Sequence, residues 1–551
     1  MKILPSLIFT VFLVAAGQTS YGEVRMPAVF GDHMVLQQDS KLPVWGWADA
    51  GEDVTVTLGD QTAKTSASGD GAWRVDLKPV KASTTGMTLT IAGKNTLKIE
   101  DVLVGEVWIC SGQSNMAFSM GRAHNAAEAE AAANDPQLRL FQVGLKSSLQ
   151  PEMDVAGKWV VCTPETAKRF SAVGYFFGSD LRKVLQLPVG LIGTYVGGTP
   201  AEAWTSLGGL QKDPPFKRHL DAVEKIKAGL EKANAEYKGL KAIYDEELKK
   251  WQDGPGNDYK KALNAWEADK VKARAANQPD PPMPPPVTPA PKQPVTPDGG
   301  AHTPTVLFNG MVAPLIPYAI RGVIWYQGES NAGQAVEYRT LFPRMITDWR
   351  EKWDEGDFPF LFVQLANYQA LQSKPSEGGI AMLREAQMKT LALPNTGMAT
   401  AIDIGNGGDI HPLDKVDVGL RLALAARHLV YGEDKLVYSG PLYDSFKVEG
   451  NKVRVTFKSV GSGLTIGVPP WTPTGVPPLG TELTGFAIAG ADMNWVWAKA
   501  TVDGDSIVVS SDQVPAPVAV RYSWASNPIG NLYNKEGLPA SSFRTDDWDG
   551  K

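Results

Sequence analysis

From Val24 to about Thr96 apolar and polar residues alternate in short runs, among them Leu42-Pro43-Val44-Trp45-Gly46-Trp47, Val54-Thr55-Val56-Thr57-Leu58 and Met87-Thr88-Leu89-Thr90-Ile91. A period of two puts successive side chains on opposite faces of a strand. Turn residues part the runs at Ala50-Gly51-Glu52-Asp53, Gly69-Asp70-Gly71 and Gly93-Lys94-Asn95. Short strands punctuated in this way predict a small antiparallel β-sandwich over residues 23–100.

The texture then changes to strand and helix in alternation. Continuous apolar runs predict strands at Val102–Ile109, Val189–Val196, Gly322–Tyr326, Phe358–Leu365 and Gly397–Ile404. Helical spacing predicts helices at Val173–Leu185, Val336–Trp353, Met382–Leu393 and Lys415–Val430. Parallel strands need crossovers, so the alternation predicts an α/β domain with a parallel sheet over residues 101–432. A segment at 211–300 interrupts it. Residues 216–275 are rich in Lys, Glu and Ala with helical spacing, predicting one or two long helices, and Pro281–Pro297 reads as a stiff extended or disordered linker. Strand patterns return at Val453–Phe457, Gly485–Ile488, Ser506–Val509 and Val518–Tyr522, predicting a β domain over residues 433–551.

Length fits this division, since 551 residues exceed one ordinary core at about 100–200 residues per domain. Net charge is −6, from 60 acidic and 54 basic residues that intermix without a basic face, so no nucleic-acid partner is expected. Residues 1–22 read as a secretory signal: Lys2, the apolar run Leu7–Ala16, and a small-x-small site at Ser20-Tyr21-Gly22 before Glu23. No other apolar stretch reaches the ~18 residues of a membrane span, which predicts an exported protein, periplasmic or secreted. The two cysteines, Cys110 and Cys162, rule out a disulfide scaffold, leaving one bridge or two buried thiols open. Neither Cys-ligated metal nor any other cofactor is expected.

Four polar, glycine-containing loops follow predicted strands: Ser111-Gly112-Gln113-Ser114-Asn115, Gly197-Gly198-Thr199, Gln327-Gly328-Glu329-Ser330-Asn331 and Gly408-Asp409-Ile410-His411-Pro412. In a parallel sheet they gather on the carboxyl rim, where open α/β sheets bind ligands. Acyl transfer needs a nucleophile, a base and donors aimed at an oxyanion. Ser114 supplies the nucleophile, although Ser-Asn after a strand also makes an ordinary turn or helix cap. Of six histidines, His33, His219, His302 and His428 fall in other regions, and His124 is a candidate surface base. His411 alone lies in a strand-end loop. Asp409 is the candidate orienter of its ring, with Asp403 and Asp414 as rivals, Asp414 also reading as a helix cap. The expected oxyanion donors are the Ser114 amide, an amide of Gly197-Gly198 and the Gln327 side chain. Glu329 is expected to accept hydrogen bonds from a neighbouring loop, with Asn331 in support.

These blocks carry a family resemblance. Gly112-Gln113-Ser114-Asn115-Met116, Trp325-Tyr326-Gln327-Gly328-Glu329-Ser330-Asn331 and Asp409-Ile410-His411-Pro412 resemble signature segments of the sialate O-acetylesterase family within the SGNH hydrolase superfamily. The similarity extends through Phe30–Gln37, Gly197–Trp204 and Asn531–Pro539. It implies a flavodoxin-like hydrolase domain flanked by N-terminal and C-terminal β-sandwich-like domains, no metal, and hydrolysis of O-acetyl esters on sugars. It implies Ser114 as nucleophile, Gly198 and Gln327 in the oxyanion hole and His411 as base. One departure is plain: the superfamily places an acid three residues before the histidine, and Gly408 stands there.

The resemblance favours O-acetylated sialic acid as substrate. Acetylated xylan or another polysaccharide is the alternative within the same chemistry, and a carbohydrate-binding protein with a vestigial site is the alternative outside it. Trp204, Trp325 and Trp495 are candidates either for sugar stacking or for the core.

Overall fold

The computed structural model describes residues 23–276, 278, 281–375, 377–470 and 480–548. The expected export segment, residues 1–22, lies outside them. Thirteen strands precede residue 401: β1 Val35–Gln37, β2 Leu42–Trp47, β3 Asp53–Leu58, β4 Gln61–Ser66, β5 Ala72–Leu77, β6 Ser83–Ala92, β7 Thr96–Gly112, β8 Asp135–Gln142, β9 Trp159–Cys162, β10 Val189–Tyr195, β11 Gly322–Tyr326, β12 Phe360–Gln364 and β13 Thr396–Thr400.

β7 is the spine of the molecule. Its first half alternates in exposure and pairs antiparallel with β6, which pairs with β3 and through it with β4. From Val102 onward it is buried without interruption, and Glu106–Gly112 pairs parallel with β10 while Trp108–Gly112 pairs parallel with β11. A strand covered on both faces loses its alternation, which is why the apolar run begins there. The strand crosses positions 100 and 101 unbroken, and one hydrophobic core holds Val54 and Leu89 of the N-terminal strands together with Ile109 and Ile324.

The central order is β13-β12-β11-β7-β10-β8-β9. The first six are mutually parallel, and β9 joins β8 antiparallel, so the sheet is mixed where a parallel one is predicted. On β11 Trp325 pairs with Ser111, three positions along β7 from Trp108, so the two indoles lie on opposite faces. Trp108 meets Phe177 of helix Ala172–Leu185, and Trp325 meets Phe342 of helix Ala335–Trp353. Helices therefore cover both faces. β13 ends at Thr400, earlier than its apolar run, because Ala401–Ile404 turns to bring Asp403 onto Arg421.

The interruption is two helices, Lys217–Asp253 and Pro255–Ala275. Only His219 and Val223 of the first are buried. The proline-rich stretch is pinned back onto them, with Trp266 Nε1 donating to Pro281 O and Trp251 Nε1 to Thr288 O. Beyond residue 440, two four-stranded antiparallel sheets enclose a second core around Val455, Phe486 and Phe543. Arg384 ties this region down, its guanidinium donating to the carbonyls of Leu365, Ala366, Ala525 and Ser526. Cys110 and Cys162 are both buried free thiols. No helix among the described residues is long and apolar enough to cross a membrane.

Candidate active site

Register brings the loops together. Gly112 pairs with both Tyr195 of β10 and Tyr326 of β11, so three strands end in one row. Gly112 has φ +134°, and a Cβ there would stand 2.2 Å from Tyr326 O, so only glycine lets β7 close against β11 at this point. Gln113 N then donates to Tyr326 O at 2.9 Å, and its Oε1 accepts from Ser330 N at 3.3 Å. Ser114, half-buried, follows. From the loop after β13 His411 reaches across 297 positions of sequence, and its Nε2 lies 2.8 Å from Ser114 Oγ.

Asp409 sits in a turn, bridged to Asn406, rather than on extended backbone. Its Oδ1 accepts from His411 N at 2.9 Å and stands 3.5 Å from His411 Nδ1, a long contact for a charged hydrogen bond. Burial lowers the His411 pKa, Lys415 and Arg122 act in the same direction, and Asp409 opposes them. The rivals are engaged elsewhere. Asp403 takes Arg421 through both oxygens and the Tyr533 hydroxyl, and Asp414 accepts from Asp417 N in the first turn of helix Val416–Leu429, whose N-cap position is Lys415.

Gly197 is beside the nucleophile, since a Cβ on it would lie 3.4 Å from Ser114 Cβ. Gly198 has φ +74°, and the nearest atom to a Cβ there is His302 Nε2 at 3.9 Å, which places an exposed imidazole at the mouth of the site. Among the described residues no acceptor takes the backbone N–H of Ser114, Gly197 or Gly198.

Gln327 differs from its expected placement. It is fully buried, its Nε2 donates to Thr199 O (3.1 Å) and Asn331 Oδ1 (2.7 Å), and its Oε1 accepts from Tyr338 (3.0 Å). Both amide hydrogens are engaged, so the side chain fastens the Gly197–Thr199 loop. Asn331 completes that network, its Oδ1 also accepting from Ala201 N and its Nδ2 donating to Glu202. Glu329 Oε1 accepts from Asn115 Nδ2 at 2.5 Å, and burial raises its pKa against the opposing effects of Asn115 and Lys415.

Asn115 and Lys415 are the two site residues with no role expected from the sequence. Lys415 opens a helix, where a lysine ordinarily reads as solvated, and its partner lies 300 positions earlier. Trp204 and Trp325 are completely buried in an aromatic cluster with Trp349, so they are core and not sugar platforms. His219 is buried against Glu337 at 2.7 Å and anchors the helical interruption.

Known proteins similar to this chain fix its family. Residues 307–428 match the model of a family described as carbohydrate esterase, sialic acid-specific acetylesterase. The chain is 32% identical to a sialate O-acetylesterase of Rattus norvegicus over 456 residues, covering 76% of each chain, and 31% identical to one of Homo sapiens over 466 residues, covering 78% of this chain and 75% of that one. A crystal structure of a carbohydrate acetylesterase from Xanthomonas citri superposes with a TM-score of 0.75 at 37% identity, covering 95% of this chain and 100% of the other. The chain therefore belongs to the sialate O-acetylesterase family of carbohydrate esterases, and it is a carboxylic ester hydrolase.

Proposed function

We propose that this protein is an exported SGNH-type hydrolase that removes O-acetyl groups from sialic acid through an acetyl-enzyme on Ser114. The observation that carries the reading is the 2.8 Å contact between His411 Nε2 and Ser114 Oγ. The hydrolase unit proposed over residues 101–432 carries the site; β7 enters it unbroken from the N-terminal β unit, with which it shares a core, and the C-terminal β unit follows it.

Ser114 Oγ attacks the acetyl carbonyl carbon while His411 Nε2 takes its proton. The negative oxygen is met by the backbone N–H of Ser114 and of Gly197 or Gly198. His411 then returns the proton to the departing sugar oxygen, leaving acetyl on Ser114. Water, deprotonated by His411, attacks that ester, and acetate leaves with Oγ reprotonated. Asp409 holds the His411 main chain, and Gln327 and Asn331 hold the loop that carries the glycine amides.

Acetate release from O-acetylated sialic acid, measured beside acetylated xylan and a chromogenic acetyl ester, tests the sugar. A kcat/KM for the sialic acid ester at least tenfold above that for xylan supports the reading; equal values on both remove the sialate assignment and leave the acetylesterase.

A further inference from the structure

Lys415 is a buried cation at the start of a helix, where the backbone dipole disfavours positive charge. A group placed against both burial and dipole needs partners that compensate it. Its Nζ donates to Pro412 O at 2.7 Å and to Asn115 Oδ1 at 2.7 Å, and lies 4.8 Å from the Phe118 ring centroid and 5.6 Å from that of Tyr326. Asn115 is saturated in turn, its Nδ2 donating to Glu329 Oε1 and to Ile410 O at 3.0 Å. Ile410 and Pro412 flank His411, and Asn115 follows Ser114 directly. The carbonyls on either side of the base are thus tied to the residue beside the nucleophile, one by Asn115 itself and one through Lys415.

We propose that Lys415, acting with Asn115, is a positioning residue that sets the His411 loop in register with Ser114. This rests on the Ser114–His411 reading. Charge balance follows from what faces the ammonium: Glu329 from the loop after β11, Asp414 and Asp409 from its own loop, and Arg122 as a like charge. Burial lowers the Lys415 pKa to about 7 against Glu329, Asp414 and Asp409, which favour the ammonium, and the ammonium in turn acts with burial to lower the His411 pKa. A cation beside an imidazole disfavours imidazolium, so removing it raises the pKa of the base.

The experiment compares wild type, Lys415→Met, Lys415→Arg and Ser114→Ala on a chromogenic acetyl ester across pH, with thermal melting of each. Lys415→Met is expected to lower kcat about 100-fold with KM within threefold, the scale of a misplaced catalytic group, and to move the acid limb of kcat/KM to higher pH. Lys415→Arg is expected to keep the limb where wild type has it. Ser114→Ala separates the two claims: activity in that variant removes the reading beneath. Inactive Ser114→Ala together with wild-type kcat and an unmoved limb in Lys415→Met overturns the positioning role alone. If Lys415→Met does not fold, Asn115→Ala severs both ties from the Ser114 side and must show the same selective loss of kcat; a wild-type kcat there overturns the proposal.

Discussion

Asp409 Oδ1 lies 2.9 Å from the backbone nitrogen of His411 and 3.5 Å from its ring Nδ1. The carboxylate holds the main chain more closely than the imidazole, and its side chain is 52% exposed. Water screens an ion so placed. Asp409→Asn keeps an oxygen able to accept from His411 N–H, so kcat is expected to fall about tenfold, far short of the roughly 10⁴-fold loss where a buried carboxylate fixes the imidazole tautomer. Steady-state kinetics on a chromogenic ester decide between these scales, and the larger loss would make Asp409 a full third catalytic member.

The acid limb of kcat/KM is expected below the ordinary imidazole value of about 6.5, because burial and the charges of Lys415 and Arg122 lower the His411 pKa and a base acts unprotonated. A limb at pH 7 or above contradicts this. The sign for stability follows the same shift. The unfolded chain binds the His411 proton more tightly, so this group's contribution is complete above its unfolded value and declines as pH falls through its folded one.

Lys415 carries the same sign in a higher window. With its pKa lowered to about 7, the folded state releases a proton that the unfolded chain keeps up to about pH 10.4, so stability from this group rises with pH across that interval. Melting temperature against pH for Lys415→Met is expected to lose that component of slope, and an unchanged slope contradicts it.

Two glycines separate room from backbone conformation. Gly198→Ala meets no atom nearer than 3.9 Å but must hold φ +74°, so we expect a folded enzyme destabilised by about 1–2 kcal/mol with reduced kcat. Gly112→Ala drives a methyl to 2.2 Å from Tyr326 O and is expected to abolish soluble expression or lower the melting temperature by far more. Equal melting temperatures for the two variants would contradict the close β7–β11 approach.

Gln327→Leu strips Thr199 O, Asn331 and Tyr338 of a partner in a buried setting. Each polar group left unsatisfied costs about 1–3 kcal/mol, so denaturant unfolding is expected to show a loss of at least that size. Loss of kcat with no loss of stability would instead return Gln327 to direct oxyanion contact.

The strands that carry the site were legible in the sequence because they are buried on both faces and read as unbroken apolar runs. Gly322–Tyr326 matches β11 residue for residue. β8 was not, because Pro136 and Arg139 interrupt its pattern; Arg139 is buried only because Asp101 and the carbonyl of His33 receive its guanidinium. Strand-end position, a property of topology, singles out Ser114 and His411 as candidates, and the fold brings the two within 2.8 Å. Lys415, Asn115 and the true engagement of Gln327 were not legible, since each depends on partners that only the folded chain supplies. Trp204 shows the limit from the other side, a tryptophan beside a polar loop that turns wholly inward.

The proposed function stands on one step, formation of the acetyl-enzyme at Ser114 Oγ. It is tested most directly by acetate release from O-acetylated sialic acid by wild type and Ser114→Ala, with circular dichroism and melting to establish that both are folded. The expected result is a folded variant whose turnover falls by roughly 10⁴-fold or more. Turnover within tenfold of wild type would contradict it.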